Sequence, residues 1–196
     1  MNSLEKQVLD AIDFEGLLGF LDRLIAIPSC DGQESAAQEA VAAHMEACGL
    51  EVDTWELDIE ELQENPACFQ EVQRSEGLGV VGSLGRPGSG PDLILNGHVD
   101  VVPAGDPANW TYPPWRSSLT SNRMYGRGSA DMKGGLGCGI YAAKALVDVG
   151  VELDGRLLVE SVIGEEDGGI GTLATLLRGY RGDAAIIMEP TQLAVI

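Results

Sequence analysis

LILNGHVD (93–100), LLVESVIGEED (157–167) and AAIIMEPT (184–191) are the stretches that decide how this chain folds. Each is a short apolar run that stops abruptly at groups able to bind metal: His98 with Asp100, Glu165 with Glu166, and Glu189. Such runs, bounded by turn residues, read as buried strands. In an open α/β sheet the parallel strands end on one edge, and ligands bind in the crevice there. A further segment, MYGRGSADMKGG (124–135), sets Asp131 in a glycine-rich turn. One imidazole and several carboxylates would then meet at a single edge. Two like charges about 4 Å apart repel by roughly 4 kcal/mol at an effective dielectric near 20. Such a crowd needs metal, protons or arginine to offset it, and the pattern implies a metal-dependent hydrolase.

Working outward, the spacing predicts an amphipathic helix from Asp13 to Ala26, with Leu17, Leu18, Leu21, Leu24 and Ile25 on one side and Pro28 ending it. A second helix is expected from Glu34 to Cys48, stopped by Gly49. EVDTWEL (51–57) and GLGVVGSL (77–84) read as strands, separated by an acidic, aperiodic stretch from Asp58 to Glu76 that suits an inserted loop or short helix. GRPGSGP (85–91) is a tight turn. A strand from Asp92 to about Val99 leads into a long loop through Trp110, Pro113, Pro114 and Trp115. The next helix runs from Met132 to Val149 with Gly134, Gly135, Gly137 and Gly139 in its first turns. Each helical glycine costs about 1 kcal/mol against alanine, so something is expected to pack very close to that helix's start. A strand from Leu157 to Ile163, a helix from Ile170 to Arg178 and a strand from Ala184 to Met188 follow, and QLAVI (192–196) looks like the opening of one more strand. This alternation gives the fold class α/β: a three-layer α/β/α sandwich with a mixed, largely parallel sheet.

The chain has 196 residues, with 31 Asp plus Glu against 12 Lys plus Arg, a formal charge of −19. That balance argues against nucleic acid and against anionic membrane surfaces, which call for basic patches. No apolar run approaches the roughly 20 residues of a membrane span. The first residues lack the basic front and small-residue cleavage site of a secretory leader, so a cytoplasmic location is expected. Cys30, Cys48, Cys68 and Cys138 show no CxxC spacing, which speaks against a zinc ribbon or disulfide framework and for reduced thiols.

Each candidate residue also has an ordinary structural role. His98 and Asp100 lie two apart, on the same face of a strand, so Asp100 can fix the imidazole tautomer as outer partners of metal histidines do. Taken alone, the pair is weak and reads first as a strand end with a capping aspartate. Asp131 before a helix suits an N-cap, yet its two carboxylate oxygens can bridge two cations. Glu165, Glu166 and Asp167 read as a solvated acidic turn, except that they leave an almost wholly apolar run. Adjacent carboxylates in different environments can divide their work between metal and proton. Glu189 before Pro190 is weak by itself. Mixed carboxylate and imidazole ligands suit zinc, cobalt or manganese.

NGHVDVVPAGDPANWTYPPW (96–115), MYGRGSADMKGG (124–135), VIGEEDGG (162–169) and MEPT (188–191), taken in order, resemble the M20 family of metallopeptidases and amidohydrolases; LDRLIAIPSCDGQE (21–34) is similar to the family's opening helix and turn. The resemblance covers nearly the whole chain but only the first half of a usual member. It implies a zinc-peptidase-like catalytic domain, truncated, with residues 1–196 forming part of it and with the lid and dimerisation domain and the C-terminal part of the catalytic domain absent. It implies two divalent ions, Zn2+ or Co2+, with His98 and Glu189 on the first, Glu166 on the second and Asp131 bridging, Asp100 orienting His98, and Glu165 as general base.

The implied reaction is hydrolysis of an amide bond, foremost N-deacylation of an acylated amino acid of the acetylornithine or succinyl-diaminopimelate kind, by a water lying between the metals. Dipeptide or carboxypeptidase-type cleavage and a non-catalytic remnant are the alternatives. The implied partner is a small N-acyl amino acid or short peptide, with a homodimer expected only of a full-length form. The family's further metal-binding histidine has no counterpart, because the sequence holds only His44 and His98, and His44 falls on a predicted helix as a packing or surface residue. The second ion is therefore expected to bind more weakly than the first, turnover to be low, and apolar surface to be exposed. A nucleotide-binding module is the rival from another class. It lacks both a Walker A string and a GxGxxG opening a helix after a strand.

Overall fold

The computed structural model describes residues 1–88 and 90–191. The strand expected at 192–196 and one residue of the 85–91 turn lie outside the described residues. Helices α1 (Ser3–Asp10), α2 (Phe14–Ile25) and α3 (Ser35–Ala47) open the chain, followed by strand β1 (Glu51–Glu56) and helix α4 (Ile59–Glu64). Strands β2 (Leu78–Gly85) and β3 (Leu93–His98) come next, then a hairpin of β4 (Ser118–Thr120) and β5 (Arg123–Tyr125). Helix α5 (Lys133–Val149), strand β6 (Arg156–Val162), helix α6 (Ile170–Arg178) and strand β7 (Ala184–Ile187) complete it. The hairpin falls inside what the sequence reads as loop. Its strands have three residues each, too short to show a period.

The main sheet has the order β1-β2-β6-β3-β7. Strands β6, β3 and β7 run parallel, with Leu93 opposite both Leu157 and Ala184. β1 and β2 add antiparallel, so the sheet is mixed, with its parallel part in β6, β3 and β7. Helices α3 and α5 cover one face with α2 packed on both, and α6 covers the other with α4 packed on it. Alternation along the strands feeds both layers: Gly97 of β3 faces Leu136 of α5, whereas Val162 of β6 faces Gly171 of α6. This is the three-layer sandwich that the alternation of elements predicts.

Local chemistry explains the boundaries. Asp13 caps α2 by accepting the Gly16 N–H at 2.8 Å, and Leu17, Phe20, Leu21, Leu24 and Ile25 form its buried side. Helix α5 ends at Gly150, whose φ of 70° is open to glycine at little cost. The glycines at the start of α5 have the expected cause. A Cβ on Gly135 would lie 2.2 Å from the Met188 carbonyl oxygen, and one on Gly137 would lie 2.9 Å from Leu21. The helix is thus seated directly on the end of β7 and on α2. Among the described residues β1 and β7 are the edge strands, and all four residues of β7 are exposed, with Ile186 and Ile187 more than half so. Among the described residues no helix is long and apolar enough to cross a membrane, and Cys30, Cys48, Cys68 and Cys138 are free thiols.

Candidate metal centre

The three parallel strands end together, and the predicted residues sit at their carboxyl ends. His98 is the last residue of β3, Glu165 and Glu166 lie in the turn after β6, Glu189 follows β7, and Asp131 stands just before α5. The Asp131–Met132 peptide bond is cis. His98 is fully buried and points its Nε2 at the carboxylates: Asp131 Oδ1 at 3.3 Å, Glu189 Oε1 at 3.3 Å and Glu165 Oε2 at 3.7 Å. Ligand-type atoms of His98, Glu165 and Glu189 fall within 4.8 Å of one another, as do those of His98, Asp131 and Glu166. The side chains of Asp131 and Glu165 are about half exposed, at 54% and 49%, so the cluster opens to solvent on one side.

Asp100 holds the imidazole differently from the simplest expectation. The main-chain carbonyl of Asp100 lies 2.8 Å from His98 Nδ1, while its carboxylate Oδ1 is 3.5 Å away. A carbonyl only accepts, so Nδ1 carries the proton and a neutral ring leaves its lone pair on Nε2, facing the cluster. The other carboxylate oxygen of Asp100 accepts the Glu166 N–H at 3.1 Å. One aspartate therefore ties the end of β3 to the turn after β6.

The electrostatics are those of a crowded acid cluster. Burial, then Asp131 and other neighbouring carboxylates, hold Glu166 above its ordinary range, and burial with Asp131 and Glu165 does the same for Glu189, His98 opposing in both cases. Burial works against the His98 imidazolium, but Asp100 and Glu189 outweigh it and push His98 up to about 9. Asp100 stays below the usual carboxylate range, because His98 and the Glu166 and Glu165 amides outweigh its burial. His98 Nε2, Glu189 Oε1 and Asp100 Oδ1 are buried without a hydrogen-bond partner. Buried polar atoms are nearly always satisfied. An unpaired imidazole nitrogen aimed at the unpaired Glu189 oxygen, with Asp131 and Glu165 beside it, is a donor set that fits a divalent cation.

The other histidine is elsewhere: His44 stacks on Phe20 with ring centroids 4.0 Å apart and approaches Cys48 Sγ at 3.7 Å. Two residues around the site carry no sequence signal of their role. Lys133 is fully buried, and its Nζ donates to the carbonyls of Leu24 and Ile27, each at 2.9 Å, closing the end of α2. Arg74, also buried, bridges Glu34 and Asp167. It is the one basic residue between Asp58 and Glu76, and only that isolation marks it.

The profile of "Peptidase family M20/M25/M40" matches residues 94–196. An N-formyl-4-amino-5-aminomethyl-2-methylpyrimidine deformylase of Halalkalibacterium halodurans is 33% identical over 181 residues, which are 89% of this chain and 38% of that protein. The chain thus spans well under half the length of this relative. The Saccharomyces cerevisiae dipeptidase Dug1p superposes with a TM-score of 0.74 at 20% identity, covering 94% of this chain and 40% of that one. Human carnosine dipeptidase 1 gives 0.72 at 20% identity, with 95% and 41% covered. At that identity the two structures share the fold. With more than half of its residues matched by the family profile, the chain belongs to peptidase family M20/M25/M40.

Proposed function

We propose that this site takes two divalent cations, zinc or cobalt, and serves the hydrolysis of an amide bond that releases an acyl group from a small acylated amine. The observation that carries the reading is the unpartnered Nε2 of buried His98, with three carboxylate oxygens within 3.7 Å of it. The deformylase relative, which by its name removes a formyl group from an aminomethylpyrimidine, supports acylated amines as the substrate class. In this reading residues 1–196 are part of a catalytic domain. His98 and Glu189 would hold one ion and Glu166 the other, and Asp131 would serve both. Nε2 has a single lone pair and so serves one ion, which leaves the second with Asp131 and Glu166 from the described residues.

When bound, such ions lower the pKa of water and polarise the scissile carbonyl. Glu165 is the general base. It is half exposed beside the cluster, and its carboxylate takes a proton from the attacking water and returns it to the departing amine nitrogen. Asp100 keeps Nδ1 protonated and the ring fixed. Zinc titration of the metal-stripped protein, with release of formate from N-formyl amines as the second readout, tests the reading. Two unequal zinc events are expected, together with a Glu165→Gln variant that keeps both and loses about 100-fold or more of any hydrolytic rate. A protein that takes up no zinc, or a Glu165→Gln variant hydrolysing as fast as its parent, overturns it.

A further inference from the structure

The turn from Gly164 to Gly169, which carries Glu165 and Glu166, is built from pliable backbone. Gly164, Gly168 and Gly169 all have positive φ, at 66°, 140° and 89°. Glu166 also faces like charge on Asp131, Asp100 and Glu165. Like-charge repulsion pushes such a turn away from the cluster. It is instead fastened on both sides of the Glu166 side chain. On one side the Glu166 amide donates to Asp100. On the other, Asp167 is gripped by Arg74, with Nη1 donating to Oδ1 at 2.8 Å and Nη2 to Oδ2 at 2.5 Å.

The guanidinium is itself anchored. Nη2 and Nε donate to Glu34 at 3.0 and 3.4 Å, and Glu34 also accepts the Gly32 N–H at 3.0 Å. Glu34 precedes α3 without using its carboxylate as a cap. The adjoining turn in turn touches the end of β3, where Val101 N–H donates to the Ser29 carbonyl at 2.9 Å. The Glu71 N–H donates to the Asp167 carbonyl at 2.9 Å, adding a main-chain tie from the same segment as Arg74. One fully buried fork thus joins the turn before α3, the stretch after α4 and the turn after β6. A buried ion network is a poor source of net stability, since apolar replacements are often neutral. What a two-pronged guanidinium–carboxylate pair supplies is orientation, and a lysine cannot reproduce it.

We propose that Arg74 is a positioning residue for Glu165 and Glu166, its grip on Asp167 against Glu34 setting where the two carboxylates stand. This rests on the function proposed above. The test compares the parent with Arg74→Lys and Asp167→Asn by zinc calorimetry and thermal unfolding, and with Glu165→Gln as the reference for loss of the base. Outer partners of metal ligands typically set affinity by 10- to 100-fold. The weaker zinc event, which involves Glu166, is expected to lose affinity by about that factor in both Arg74→Lys and Asp167→Asn. The tighter event at His98 and Glu189 is expected to move by less than about threefold, since neither residue is touched by the fork. Parental zinc affinities in folded Arg74→Lys and Asp167→Asn, with only the unfolding midpoint lowered, overturn the positioning role and leave the function standing. If Arg74→Lys does not fold, Asp167→Asn alone decides by the same criterion. A parent that binds no zinc overturns the function and the role of Arg74 together.

Discussion

Replacing Gly135 with alanine tests whether the first turns of α5 set the position of Glu189. The added Cβ would stand 2.2 Å from the Met188 carbonyl oxygen and 3.2 Å from the Met188 carbonyl carbon, where ordinary contact begins at 3.4 Å. The obstacle is backbone, which no rotamer change can relieve, and the Met188 N–H is tied to the Asn96 carbonyl at 3.1 Å. The end of β7 therefore has to move off the helix by about 1 Å. Overpacking of this kind costs about 1–3 kcal/mol, and alanine's better helix propensity returns at most about 1 kcal/mol. A net loss of about 1–2 kcal/mol is expected in urea unfolding. The consequence for the site is larger. Glu189 is the next residue, its Oε1 lies 3.3 Å from His98 Nε2, and ligand distances tolerate only about 0.2 Å. Affinity at the tighter zinc site should fall about 10- to 100-fold. Gly19→Ala in α2 is the control: its Cβ would meet only Arg23 Nη1 at 3.8 Å, so it should gain up to about 1 kcal/mol and leave zinc unaltered. A Gly135→Ala variant with parental stability and parental zinc affinity would falsify the claim that α5 seats β7.

Removing the buried ammonium in Lys133→Met takes this donor from the Ile27 carbonyl and leaves the Leu24 carbonyl with the Ile27 N–H at 3.3 Å. An unsatisfied buried carbonyl costs about 1–3 kcal/mol and the second lost bond about 1 kcal/mol, offset in part by relief of the buried charge, so urea unfolding should show a loss of about 2 kcal/mol; stability equal to the parent's would mean that desolvation cancels the two bonds. Away from the site, Tyr180 donates to Asp53 at 2.8 Å, and burial first, then Asp53, pushes it up to about 12 from 10.0. The folded state keeps that proton longer than the unfolded state, so this contribution to stability is whole below pH 10 and is lost as pH rises through 12. Tyr180→Phe should flatten that alkaline loss in denaturation curves, and an equal decline in both proteins would show that the phenol is not so held.

Much of the architecture was legible because it rests on local periodicity. The spans of α2, α3, α5 and α6 and of the five sheet strands follow from apolar spacing, glycine stops and capping residues that act within a few positions. The short β4–β5 hairpin was not legible, since its strands carry too few residues to alternate visibly. Candidate metal residues were legible because His98, Glu165, Glu166 and Glu189 follow apolar runs and Asp131 stands in a glycine-rich turn before a helix, and strand ends are brought together by any parallel sheet.

What the sequence by itself determined is the kind of sheet and the kind of chemistry at its edge: one imidazole and four carboxylates, each delivered by a strand end or helix start. What only the tertiary structure decided is how those groups are held. The hold on His98 passes chiefly through a main-chain carbonyl of Asp100, which no side-chain pattern encodes. The turn of Glu165 and Glu166 is secured by Arg74 from 93 positions before Asp167, and α2 is closed by Lys133 from 109 positions after Leu24. Periodicity records which face a residue takes within its own element. Pairings across such separations depend on where the whole chain places each element, and two lone cations in an acidic sequence become meaningful only once the fold shows which oxygens surround them.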